Sequence, residues 1–154
     1  MAAAAVGGPE LMKALDTPAL LAILERRREA AWVLDEVAGG EVCTTEVNLF
    51  ELEAAVLGER RSERARRLAA LERLRKRISV LPVDDKAART AARIIAEGKG
   101  ATTTVAALVL GCVSSGGATE LLTTEAGRIH AASSPVTIRL LRSRGRKDGV
   151  SRKS

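Results

Sequence analysis

The sequence predicts an α/β fold, a three-layer α/β/α sandwich around a central, mainly parallel sheet. Two observations predict it. Short aliphatic runs of strand length alternate with longer segments whose apolar residues recur at helical spacing, and that alternation implies right-handed crossovers between parallel strands. Hydrophobic residues make up 46% of the 154, while aromatic residues make up only 1%, with Trp32 and Phe50 the whole supply. The core must therefore be aliphatic. The same scarcity argues against a base-stacking RNA module, which needs exposed rings.

The elements follow in order. Residues 11–15 form a short apolar run that ends in Asp16. Thr17-Pro18 then reads as an N-cap with proline at the first helical position, and Leu20, Leu21, Ile23 and Leu24 line one side of the helix that follows. A second helix, about 29–38, stops at Gly39-Gly40. Residues 41–44 read as a strand, and Thr45 caps a helix running to about Leu57. A long helix over 62–77 sets Leu68, Leu71 and Leu74 on one face and arginines elsewhere. Residues 79–81 form a strand ended by Pro82. Asp84 can cap the next helix, in which Ala87, Ala91, Ile94 and Ile95 repeat at helical spacing, with Gly98 and Gly100 ending it. Residues 105–113 are a continuous apolar run, read as a buried helix. Ser114-Ser115-Gly116-Gly117 reads as its terminus and turn, since a phosphate loop would need a lysine and strand–loop–helix order. Residues 120–123 and 136–140 give the last strands.

The length suits one domain, placed at residues 12–141. Residues 1–11 read as an N-terminal extension. Residues 142–154 read as a disordered basic tail, because Arg142, Arg144, Arg146, Lys147, Arg152 and Lys153 sit among Ser and Gly with no apolar face. Net charge is +6, but residues 1–58 carry 4 basic and 10 acidic side chains whereas residues 59–77 carry 9 and 3. The basic helix suits RNA phosphates or an acidic partner segment. Its plain alternative is a solvated face with ion pairs such as Glu63–Arg67. Cys43 and Cys112 lie in apolar stretches and read as buried free thiols. The start lacks a basic signal-peptide region, and no run approaches the roughly 18 apolar residues of a membrane span. A reducing cytoplasm is the expected setting.

In open parallel sheets, ligands gather beyond the C-terminal ends of the strands. Asp16 stands at such an end. Its alternative role is that of a helix N-terminal acid facing the helix dipole. Glu51 lies in the otherwise apolar helical stretch Val47-Asn48-Leu49-Phe50-Glu51-Leu52. An acid among core-type residues is costly unless paired or metal-bound. Asn48 one turn earlier makes that face polar, although an ordinary exposed glutamate would fit the same pattern. Two carboxylates suit magnesium or manganese, which take one or two carboxylates plus water and phosphate. His130, the single histidine, reads as a surface residue.

Leu15-Asp16-Thr17-Pro18-Ala19-Leu20-Leu21 resembles the opening of PIN domains, especially VapC-type toxins. Thr44-Thr45-Glu46-Val47-Asn48-Leu49-Phe50-Glu51-Leu52 looks like the family's second motif, and Leu81-Pro82-Val83-Asp84 is similar to the segment that follows. The resemblance implies Mg2+- or Mn2+-dependent cleavage of RNA, homodimers and a small antitoxin protein as partner. It implies Asp16 and Glu51 as metal ligands or their supports, with Thr17 a minor polar contributor.

The chain departs from the family pattern at its later acids. The third acid falls on Ala107. The late Thr-Arg-Asn motif corresponds to Thr123-Thr124-Glu125, and Arg128 stands where an acid or histidine is expected. Glu125 is the candidate third carboxylate, and Glu120, at the start of its strand, is a poorer one. The chain thus reads either as a nuclease weakened at Ala107 or as a silent relative that binds RNA or protein.

Overall fold

The structure, a computed structural model, describes residues 11–98, 101–129 and 134–142. Most of the predicted extension and of the basic tail, together with Gly100 and His130, lies outside the described residues. Within them the elements run β1 (Lys13–Leu15), α1 (Thr17–Leu24), α2 (Ala30–Val37), β2 (Val42–Thr45), α3 (Glu46–Leu57), α4 (Arg61–Arg75), β3 (Ser79–Leu81), α5 (Asp85–Glu97), α6 (Thr104–Ser115), β4 (Glu120–Thr123) and β5 (Thr137–Leu140). The strand order is β3-β2-β1-β4-β5, and every pairing is parallel.

That order dictates the layers. The chain steps outward from β1 to β2 to β3, and right-handed crossovers put α1–α4 on one face. It then returns past β1 to β4, a step in the opposite direction, so α5 and α6 fall on the other face. The core divides accordingly. Leu15 and Leu122 pack with Leu20, Val33, Leu49, Leu52 and Leu71. Ala14, Cys43 and Leu121 face Ala87, Ala91, Ile94, Val109, Leu110 and Val113. Adjacent strand residues therefore serve opposite layers, as the two-residue period of a strand requires. Trp32 is only partly buried and Phe50 is exposed, so the interior is aliphatic.

The direction of chain progression reverses between β1 and β4. The crevice beyond their C-terminal ends is the switch point at which such sheets bind ligands.

The predicted boundaries shift by one or two residues. Asp16, not Thr17, occupies the N-cap of α1, because the β1 ladder continues through the Asp16 amide, which donates to the Leu122 carbonyl at 2.9 Å. Thr45 both ends β2 and caps α3, and Asp84 caps α5 through the Ala87 amide at 2.8 Å. Gly39 ends α2 at φ +79°, a conformation that glycine adopts without strain. Both cysteines are buried and free. The predicted Glu63–Arg67 pair is present at 3.9 Å, and Arg67 also reaches Glu25 and Glu59, tying α4 to α1. Among the described residues, no helix is long and apolar enough to cross a membrane.

Candidate active site

The site is built from three places in the chain: the end of β1, the first half of α3 and the loop after β4. Asp16 is fully buried. Its backbone is extended, as an N-cap requires, yet its side chain does not cap α1. It turns instead toward α3, where Asn48 Nδ2 donates to Asp16 Oδ1 at 2.8 Å.

Thr45 sets the orientation of Asn48. The Thr45 hydroxyl accepts from the Asn48 amide at 3.1 Å and donates to Asn48 Oδ1 at 2.7 Å. With its oxygen engaged by a donor, the Asn48 side chain must present its NH2 group to the other partners. Those partners are Asp16 Oδ1 and Thr17 Oγ1, the latter at 3.1 Å. Thr17 passes the chain of bonds onward, donating to Glu51 Oε1 at 2.6 Å.

Arg128 closes the ring. Its Nη2 donates to Glu51 Oε1 at 2.6 Å, and its Nε lies 3.2 Å from Asp16 Oδ2. The two halves of this contact differ. The Glu51 half is a short charge-assisted hydrogen bond. The Asp16 half is an ion pair without hydrogen-bond alignment, and it leaves Asp16 Oδ2 and Arg128 Nε both buried and unbonded. Asp16 and Glu51, distant in sequence, thus share one guanidinium.

Burial pushes the Asp16 carboxyl above its usual pKa, and the nearby Glu51 charge adds to the rise. The Thr17 amide, Arg128 and the Thr123 hydroxyl offset this only in part. For Arg128, burial acts against the cation, but Asp16, Glu51 and Glu125 outweigh it and hold its pKa above the ordinary value.

The remaining candidates lie apart from the ring. Glu125 is exposed, and its amide donates to Thr123 Oγ1 at 3.3 Å. Its carboxylate reaches the site only through the field that it exerts on Arg128. Glu120 opens β4 and faces Arg139 at 3.6 Å. Ala107 is fully buried within the aliphatic cluster of α5 and α6. Thr103 serves as the cap of α6, accepting from the Ala106 amide at 3.1 Å.

The sequence reading missed the roles of two residues. Asn48 sits three residues before Glu51, so the pair shares a helix face, and that spacing was its signal. Arg128 stood out only as a base where an acid is expected. Nothing local in the sequence announced that it would bridge two carboxylates.

As potential ligands, Asp16 and Glu51 offer two carboxylates at one point, one with a buried oxygen that lacks a hydrogen bond. Among the described residues, no group of three or more His, Cys, Asp or Glu could hold a metal ion. The two carboxylates alone make no closed protein cage; they could hold a hard divalent ion only with water and phosphate completing its shell.

The chain is similar to several solved structures. One is VapBC-5 from Mycobacterium tuberculosis, a member of the VapBC family of toxin–antitoxin systems, at 27% identity and TM-score 0.59; the match covers 84% of this chain and 98% of that one. VapBC2 from Rickettsia felis, bound to a promoter DNA fragment, matches at 12% identity and TM-score 0.69, over 86% and 100%. DNA-bound VapBC from Salmonella typhimurium matches at 20% identity and TM-score 0.65, over 84% and 97%. No curated protein matches the chain. The family comparison matches the PIN domain over residues 13–131, most of the sequence and every element up to β4. The chain belongs to the PIN domain family.

Proposed function

We propose that this chain is a metal-dependent endoribonuclease of the PIN type, the toxin of a toxin–antitoxin pair, acting in the cytoplasm. One observation carries the reading: Asp16 and Glu51, from different elements, converge at the switch point of a parallel sheet. Together they would hold Mg2+ or Mn2+. The ion would supply charge for the phosphate and activate a water.

The protein's own groups do the positioning. Asn48 and Thr17 orient the two carboxylates, and Thr45 holds Asn48. Glu125, exposed beside Arg128, is the candidate third carboxylate for activating water from the rim. Arginines on α4 would steer the RNA backbone through its phosphates, a sequence-independent attraction that weakens with salt. The likeness to VapBC toxin–antitoxin structures supports an antitoxin protein as partner, and a homodimer is proposed from the resemblance of the motifs to VapC-type toxins.

RNA cleavage by the purified chain, with Mg2+ or Mn2+ and with chelator, tests the reading. Cleavage should require the ion and fall at least about a hundredfold in Asp16→Asn, a barrier change of about 2.7 kcal/mol. Equal cleavage by both proteins, or none by either, would contradict it.

A second reading is a silent relative that binds RNA or a protein. It is favoured by Arg128, which already pairs with both acids, and by the aliphatic setting of Ala107.

A further inference from the structure

We propose that Arg128 is a built-in competitor for the cation: it holds the acid pair closed when no ion is bound and must leave for one to enter. The proposal rests on the reading of Asp16 and Glu51 as cation ligands.

A group that merely supported Glu51 would need one hydrogen bond to it. The guanidinium instead lies between the two carboxylates, with Nη2 at 2.6 Å from Glu51 Oε1 and Nε at 3.2 Å from Asp16 Oδ2. It thus stands where a shared ion would need to stand, and carries the same sign of charge. An ion and a guanidinium cannot both occupy that place, since like charges in contact at a partly buried site repel.

Arg128 bonds Glu51 well and Asp16 poorly. Asp16 Oδ2 is buried and has no hydrogen bond, although a guanidinium nitrogen lies beside it. Arginine can serve two carboxylates fully when its fork faces them squarely. Here it pairs with Asp16 without hydrogen-bonding it. That leaves an acceptor oxygen for a ligand able to bond it more closely, which is what a hard cation does.

Arg128 is not on a helix or strand but follows β4 in a loop, directly after Gly127 at φ +75°. The exposed Glu125 acts on it through its charge, and its side chain is 27% exposed to solvent. The other members of the ring are fixed by elements: Asp16 by the β1 ladder, Asn48 and Glu51 by α3, Thr45 by β2. Thr17, which bonds Glu51, stands at the start of α1, so Arg128 is the member of the network that comes from a loop and whose departure breaks no regular structure.

Mn2+ binding to the purified full chain, read by electron paramagnetic resonance of the free ion, tests this without any RNA or activity. Arg128→Gln should bind Mn2+ at least about tenfold more tightly than the parent. Arg128→Lys should fall between them, since an ammonium cannot span both acids. Adding Asp16→Asn to Arg128→Gln should abolish the gain. If parent and Arg128→Gln bind equally, both through Asp16, or if the parent binds more tightly, the competitor role is overturned while the cation site stands. If neither binds Mn2+, both the competitor role and the cation site fall. Circular dichroism of each variant reports folding, and Arg128→Lys, which keeps the charge, carries the test should Arg128→Gln not fold.

Discussion

At the scale of single residues, the site joins groups whose individual costs are high and whose mutual satisfaction is incomplete, since Asp16 Oδ2 and Arg128 Nε are buried without a hydrogen bond. Asp16 is fully buried, and its pKa is raised above the usual 3.8 chiefly by burial. The folded chain therefore holds the Asp16 proton to higher pH than the unfolded chain does. Between those two pKa values the folded state binds more protons, so this group's contribution makes stability fall as pH rises through the window. In chelator-treated protein, Asp16→Asn should melt above the parent at pH 7, and the difference should shrink as pH falls toward 3.8. A difference that is constant with pH, or that grows on acidification, would contradict the burial argument. Thr45 invites a second test. Thr45→Ala removes the α3 cap and leaves Asn48 Oδ1 without its donor, a loss of about 2 kcal/mol in urea unfolding. Thr45→Ser keeps the hydroxyl and should lose well under half of that.

At the scale of elements, α5 and α6 show how closely two helices can approach. A Cβ on Gly111 would stand 2.3 Å from the Ala87 carbonyl oxygen of α5. Alanine gains about 1 kcal/mol over glycine in helix propensity, but the clash with backbone cannot be relieved by rotating a side chain. Gly111→Ala should therefore destabilise by about 1–3 kcal/mol. Gly58, at the end of α3, makes the contrast: its φ is −80° and the nearest atom to an added Cβ is 3.5 Å away. Gly58→Ala should be neutral or stabilise by up to about 1 kcal/mol. Denaturant midpoints of both variants check the pair. The thiols report on the same layer. Burial pushes Cys43 up to about 12 and Cys112 up to about 11, so neither should react with iodoacetamide at pH 8 until the chain unfolds.

At the scale of the whole molecule, alternation of strand and helix patterns made the layered fold legible, and the all-parallel sheet follows from it. Boundaries were less legible where one residue has two duties. Asp16 extends the β1 ladder while starting α1, and Thr45 ends β2 while capping α3. Local propensity assigns such a residue to one element only. The site was legible where chemistry is local: Asp16 follows a strand, and Glu51 stands out on an apolar helix. Arg128 was not legible as a bridge, because its partners are brought to it by the sheet order and not by anything near it in sequence. Glu125 follows the end of its strand and was favoured on that ground, yet its carboxylate is exposed outside the ring.

The central claim is that residues 16 and 51 form one cation site at the sheet's switch point. Anomalous diffraction from crystals of the chain grown with manganese tests it most directly. The account predicts a manganese peak between the two carboxylates, with the Arg128 guanidinium moved off them. A bridge still closed by Arg128, with no peak between the acids, would contradict it.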